Sequence, residues 1–197
     1  ACLSASASAF VNCTIVSNSA EYGGAIYIQA SAPDIVHCTL SKNSAYSGGG
    51  GIYYSEGLAP LPRLTNCILW GNLPAPQIIF EIAGPLISNC LIQNGYPNGA
   101  GILTSDPLLF SLGQHGGPTQ TMPISAGSPA IDAGQPGPGM PVTDQRGFVR
   151  DALPDIGACE LSQSPGTVEI TLATGVPRHP AGGGDILSHV LMLNADR

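Results

Sequence analysis

Short apolar phrases alternate with polar turns along the first hundred residues, and one phrase recurs. Val11-Asn12-Cys13-Thr14-Ile15, Val36-His37-Cys38-Thr39-Leu40, Thr65-Asn66-Cys67-Ile68-Leu69 and Ser88-Asn89-Cys90-Leu91-Ile92 each place an apolar residue two positions after a cysteine. That spacing puts both side chains on one face of a strand. The cysteines lie 25, 29 and 23 residues apart, a period that signals a solenoid in which each repeat is one turn of a coil.

The rest of each repeat supports this reading. Asn18, Asn43 and Asn72 follow the cysteine by five residues and Asn94 by four. Asparagine tolerates the left-handed backbone of a corner, and its amide can bond to the asparagine of the next coil. A glycine-rich corner then leads to a second strand, Gly23-Gly24-Ala25-Ile26-Tyr27 and Gly50-Gly51-Ile52-Tyr53-Tyr54. Gln77-Ile78-Ile79-Phe80 fills the same slot without glycine, and Ala100-Gly101-Ile102-Leu103 reads as the last copy. Ala1-Cys2-Leu3 aligns with Ala25-Ile26-Tyr27, so the sequence is expected to begin in the middle of a coil.

Alternation predicts which side chains face outward. With Cys67 and Leu69 inside, Trp70 faces out, in the position of Val16, Ser41 and Gln93. With Ile26 and Ile52 inside, Tyr27 and Tyr53 stack on the outer surface. Tyr27, Tyr53 and Trp70 are therefore the candidate binding residues, a platform for sugar rings or a neighbouring subunit. The competing expectation is that a loop or the C-terminal segment covers them.

Composition narrows the function classes. Only 10% of the 197 residues are charged, with 26 Gly, 18 Pro and a net charge of −7. Six Lys and Arg residues are too few to neutralise a run of phosphates, which argues against nucleic acid. No apolar run is long enough to span a bilayer. The low lysine content and abundant Ser, Thr, Asn and Gly suit an extracellular or cell-surface protein. Cys13, Cys38, Cys67 and Cys90 occupy equivalent places, so they read as a stacked inward column of small apolar residues. Strands in adjacent coils lie about 4.8 Å apart, within disulfide reach, which leaves vertical bonds open as an alternative.

After Asp106 the pattern changes. Gly116-Gly117-Pro118-Thr119-Gln120-Thr121-Met122 is followed by Gly127-Ser128-Pro129-Ala130-Ile131-Asp132-Ala133-Gly134, Thr143-Asp144-Gln145-Arg146-Gly147-Phe148 and Asp155-Ile156-Gly157-Ala158-Cys159-Glu160. In this order the motifs resemble the C-terminal region of secreted bacterial right-handed β-helix proteins, the choice-of-anchor Q domain proteins. The resemblance implies an all-β, right-handed parallel β-helix with a C-terminal capping segment, outside the cell or at its surface. It implies no reaction. The expected organisation is coils over 1–115, the choice-of-anchor Q-like segment over 116–162, and a tail over 163–197. That tail is expected to hold a strand at Thr167 to Ala173 and a short helix at Asp185 to Asn194.

Catalysis is weighed against this background. Asp132, Asp144, Asp151, Asp155 and Glu160 have an oxygen-ligand chemistry, but they lack calcium-loop spacing and lie among Arg146 and Arg150. Turn capping and ion pairing are expected instead, with no metal and no cofactor. Polysaccharide lyase chemistry needs a base and a cation beside the substrate carboxylate, and the coil's cations are Lys42 and Arg63 alone. Hydrolysis needs converging carboxylates, whereas Glu21, Asp34, Glu56 and Glu81 fall in different repeats. The expectation is a non-catalytic structural or adhesive module whose partner is a second copy end to end, or a cell-surface glycan or protein. A fragment of a polysaccharide lyase or hydrolase is the alternative.

Overall fold

The computed structural model describes residues 8–55 and 60–161, and the backbone of 2–4. The predicted tail strand and helix, and Glu56, lie outside these residues. The chain divides into two compact units, Ala1–Ser164 and Pro165–Arg197, and the coils and the segment that follows them to Leu161 share the first.

Among the described residues fourteen short strands form a parallel solenoid of about three turns. The first complete rung is β2 (Ala9–Val11), β3 (Thr14–Val16), β4 (Ser19–Tyr22) and β5 (Ile26–Gln29). The second is β6 (Asp34–Val36), β7 (Thr39–Ser41), β8 (Ser44–Gly48) and β9 (Ile52–Ser55). The third is β10 (Arg63–Thr65), β11 (Ile68–Trp70) and β12 (Ile78–Phe80), and β13 (Leu86–Ser88) and β14 (Leu91–Ile92) begin a fourth. Stacking gives three long faces. Sheet A is β1 (Cys2–Ser4), β5, β9 and β12; sheet B is β2, β6, β10 and β13; sheet C is β3, β7, β11 and β14. A short fourth sheet pairs β4 with β8. Every one of these strand pairs is parallel. Among the described residues there is no helix.

The interior is a set of vertical columns, as the alternation requires. Ile35, Leu64 and Ile87 line sheet B, and Leu40, Leu69 and Ile92 line sheet C. Ile26, Ile52 and Ile78 line sheet A, and all nine are buried. Cys38, Cys67 and Cys90 are fully buried in the same core, and Cys13 is half-buried. The five described cysteines are free thiols, so the vertical-disulfide alternative is not the state of this structure. Each thiol of the column donates to the carbonyl two residues earlier, on Val11, Val36, Thr65 and Ser88. Cysteine thus fills a small interior position while satisfying a corner carbonyl.

Asparagine forms the predicted ladder over three rungs. The Asn18 amide donates to Asn43 Oδ1 at 3.0 Å, Asn43 to Asn72 Oδ1 at 2.8 Å, and Asn72 to Gln77 Oε1 at 2.7 Å. Gln77, not Asn94, occupies the fourth place. The left-handed residues at this corner are Ser17, Lys42 and Gly71, immediately before the asparagines. Asn12, His37, Asn66 and Asn89, immediately before the cysteines, are left-handed at the other corner. The asparagine that tolerates the turn is thus a different one from the asparagine that builds the ladder.

Two registers differ from expectation. Ala100–Leu103 is not a further copy of the sheet A strand: Ala100 bridges Ser88 and Leu103 bridges Leu91, on sheets B and C. The cause is the shortened spacing to Asn94, because Asn94 and Gly95 are both left-handed and turn the chain back before it can round the corner. At the other end Cys2 pairs with Tyr27, one residue from the predicted register. Counting from the shared cysteine gives the observed pairing, since Cys2 precedes Cys13 and Tyr27 precedes Cys38 by the same 11 residues.

The C-terminal segment covers the flank of the coil. Ile124, Ala130 and Ile156 pack on Ile68 and Leu91, the outward column of sheet C. Gln135 bonds twice to the Asn66 side chain, while Thr143 and Gln145 reach Asn12 and Thr14 of the first rung. The chain then returns, and Gly157 and Ala158 donate to Asn66 O and Thr39 Oγ1. The segment is a strap across the rungs.

Candidate functional site

The predicted aromatic residues occupy two separate faces. Tyr27 and Tyr53 are in register on β5 and β9 and lie on the outer surface of sheet A. Their rings stack with centroids 5.9 Å apart and an interplanar angle of 19°, and Tyr22 meets Tyr53 edge-on at 4.8 Å. Tyr22 was not among the expected residues. It comes from β4, across a bulge between Ala20 and Tyr22, and no strict alternation through that strand would have placed it there.

The geometry determines what this cluster can offer. Stacked rings cover one another's facing sides, so the surface presented outward is largely ring edge and hydroxyl. The Tyr53 hydroxyl donates to Glu81 Oε1 at 2.9 Å, and the Tyr27 hydroxyl lies 3.0 Å from Ser55 Oγ. The bond to Glu81 raises the Tyr53 phenol above its ordinary range, because a phenolate would face that carboxylate. The cluster is therefore a neutral hydrogen-bonding surface with an acidic rim.

Trp70 stands on sheet C, in register with Val16 and Ser41 as alternation requires. It is half-buried and packs against the apolar cluster under the strap. The structure therefore does not bring Trp70 together with Tyr27 and Tyr53.

Three acidic residues of the strap, Asp144, Asp155 and Glu160, form a buried network, while Asp132 and Asp151 are exposed. Asp144 pairs with Arg146 at 2.7 Å and Glu160 with Arg150 at 2.9 Å. Asp144 also accepts from the backbone of Arg146, Phe148 and Glu160, and Asp155 accepts from Asp132 N. Burial raises Asp155 to about 6 and pushes Glu160 up as well. Arg150 is lowered by burial while its acidic neighbours oppose the shift. It donates to Asn12 Oδ1, to Gly157 O and to Asp155 O, linking the strap to the first rung. Capping and ion pairing account for these groups, as their turn-rich sequence suggested, and Asp151 caps Leu153 N. Among the described residues no group of three or more His, Cys, Asp or Glu side chains is arranged to hold a metal ion.

His37 sits where the strap meets the coil and is fully buried. Burial, with Arg150 nearby, lowers it to about 3. Sequence reasoning treated it as part of the cysteine phrase, and only its alignment with Asn12, Asn66 and Asn89 marks it as a member of a polar corner column.

Two stretches of the chain, residues 12–29 and 37–55, match the model of the Chlamydia polymorphic membrane protein repeat. Each match runs from the left-handed corner residue through the cysteine and the ladder asparagine to the last strand of its rung, β5 or β9. No curated protein and no solved structure matches the chain. No helix among the described residues is long and apolar enough to cross a membrane. The first two rungs are thus similar to repeats of a membrane-protein family, over the residues that define the solenoid.

Proposed function

We propose that this chain is a non-catalytic, extracellular structural or adhesive β-solenoid module. The observation that carries the reading is the assignment of its polar side chains. Inside the coil the amides of Asn18, Asn43, Asn72 and Gln77 bond to one another, and the buried carboxylates of the strap hold its own backbone and arginines. In the coil Glu21, Asp34 and Glu81 project from different strands and corners. Similarity to a membrane-protein repeat supports a place at the cell surface. The exposed Tyr22 and the half-buried Tyr27 and Tyr53 suit contact with a protein or glycan there.

Incubation with pectin-like, alginate-like and neutral polymers, followed by chromatography of the products, tests the non-catalytic reading. No change in polymer length is expected, and cleavage would replace it with the polysaccharide-active alternative. A glycan and protein array tests adhesion, with loss of capture expected for Tyr53→Ala.

End-to-end stacking is the second reading, favoured by the first rung. Phe10, Cys13 and Ile15 are only half-buried, whereas their equivalents Ile35, Cys38 and Leu40 are fully buried. A further rung placed on this edge would complete their burial, and a second copy supplying it would generate an open filament. Electron microscopy of the purified chain is expected to show filaments; uniform short rods would sink this reading.

A further inference from the structure

Sheet B carries a polar groove that the solenoid itself does not need. Alternation turns Arg63, Thr65, Leu86 and Ser88 outward while Leu64 and Ile87 fill the core. The early turn at Asn94 then brings the chain back alongside β13 at the edge of this sheet, with Ala100 bridged to Ser88. The result is a groove of about 240 Å³ lined by these four residues together with Ile87, Asn98 and Ala100.

Its chemistry is specific for so small a space. Thr65 Oγ1 and Ser88 Oγ lie 3.4 Å apart in adjacent rungs, giving neighbouring hydroxyls that can donate or accept. Asn98 is exposed at the rim, and Leu86 offers an apolar surface that is 51% exposed. Arg63 is exposed and makes no ion pair with any described residue, although Asp34 is its register partner on β6. Its guanidinium fork matches a carboxylate in two parallel bonds. The groove falls below the roughly 300–1,000 Å³ typical of drug-sized ligands, so it suits one sugar ring rather than a peptide. Net charge −7 disfavours a polyanion.

We propose that the groove formed by Arg63, Thr65, Ser88, Leu86 and Asn98 binds a single carboxylated sugar of an otherwise neutral glycan. Arg63 takes the carboxylate, Thr65, Ser88 and Asn98 take ring hydroxyls, and Leu86 meets the C–H face of the ring. The assignment deepens the adhesive reading and rests on it.

The test is an NMR titration of the labelled full chain with methyl glucuronide and, separately, methyl glucoside, which has the same ring without the carboxylate. Saturable shifts at residues 63–65, 86–88 and 98–100 are expected with the glucuronide, and binding at least about tenfold weaker with the glucoside. Arg63→Gln is expected to weaken glucuronide binding by a similar factor with an unchanged backbone spectrum, and Thr65→Val with Ser88→Ala to weaken it further. Lys42→Gln, which removes the coil's other cation, should leave binding intact. Equal binding of the two sugars, an equal loss in Lys42→Gln, or no shifts at millimolar ligand would overturn the proposal. Displacement of the glucuronide by acetate at equal concentration would reduce the groove to a simple anion site and also overturn it. Polymer cleavage alongside intact glucuronide binding would refute the non-catalytic reading alone.

Discussion

Asn66 holds His37 in one tautomer. The Asn66 side chain accepts from Gln135 N and donates to Gln135 O, which fixes its amide orientation. Its Nδ2 must then donate to His37 Nε2, 2.9 Å away, so the neutral ring carries its proton on Nδ1. Protonating Nε2 would set two donors against each other inside a buried junction.

Acid is therefore expected to weaken the contribution of His37 to the strap junction. His37 is depressed from 6.5 to about 3, so the stability it contributes is present above pH 6.5 and lost as pH falls from there through 3. Asp155 acts with the opposite sign. Its pKa is raised from 3.8 to about 6, so its contribution is lost as pH rises through 6 and recovered on acidification. Glu160, also raised, adds to Asp155, so the opposite signs offset each other between about pH 6 and 4 and the net thermal midpoint is a poor guide to His37. The His37 contribution is read as a difference: His37→Asn, which matches Asn12, Asn66 and Asn89 in the column, is expected to gain in thermal midpoint relative to the parent as pH falls from 6.5 toward 3. An identical pH slope in both proteins would show that His37 is not the titrating group.

The asparagine ladder predicts an unequal pair of substitutions. Asn43 is buried, donates to Ile15 O, Ser41 O and Asn72 Oδ1, and accepts from the backbone and side chain of Asn18. Asn43→Ala leaves several of these groups unpaired, at about 1–3 kcal/mol for each buried one. Asn94→Ala lies outside the ladder and is expected to cost about 1 kcal/mol or less, for its left-handed turn alone. Urea unfolding of the two variants measures the difference.

Strap docking has a built-in reporter. A Cβ at Gly157 would meet Ile68 Cδ1 at 2.7 Å and Thr39 Oγ1 at 3.0 Å, at a φ of 108°. One at Gly127, also left-handed, would meet nothing within 4 Å. Gly157→Ala is expected to lift the strap, whereas Gly127→Ala costs only backbone strain. Trp70 is the only tryptophan and packs under the strap. Its emission should shift to longer wavelength in Gly157→Ala and stay in place in Gly127→Ala.

The thiol column is expected to be chemically silent in the folded protein. Burial and neighbouring thiols raise Cys13, Cys38 and Cys67 far above the ordinary thiol range, and burial raises Cys159. Mass spectrometry after iodoacetamide treatment at mild alkaline pH should find these four unmodified, with urea releasing all of them. Rapid native labelling of Cys38 or Cys67 would contradict the stacked interior.

The columns were legible because parallel stacking repeats the same environment in each rung. Ile15, Leu40, Leu69 and Ile92 could be aligned by counting from a cysteine. Counting failed where a rung changed length: the shorter route to Asn94 diverted Ala100–Leu103 onto sheets B and C. Alignment by residue type failed at Cys2, where chain length from Cys13 was the better guide. Tyr22 was hidden by the bulge in β4. The strap's motifs were visible, but its docking on Asn12, Thr39 and Asn66 depends on corner backbone and side chains brought together only by the coil. The groove at Arg63 was equally hidden, since its far wall exists only because the chain turns back.

A coil whose rungs touched only their neighbours would fray from an end, one rung at a time. Here Arg150 and Thr143 grip Asn12 across 138 and 131 residues of chain. The rung at Asn12 therefore waits for nearly the last described residues before its corner is complete. Such a clasp converts a stack of semi-independent layers into one cooperative body, at the cost of a distant closure late in folding.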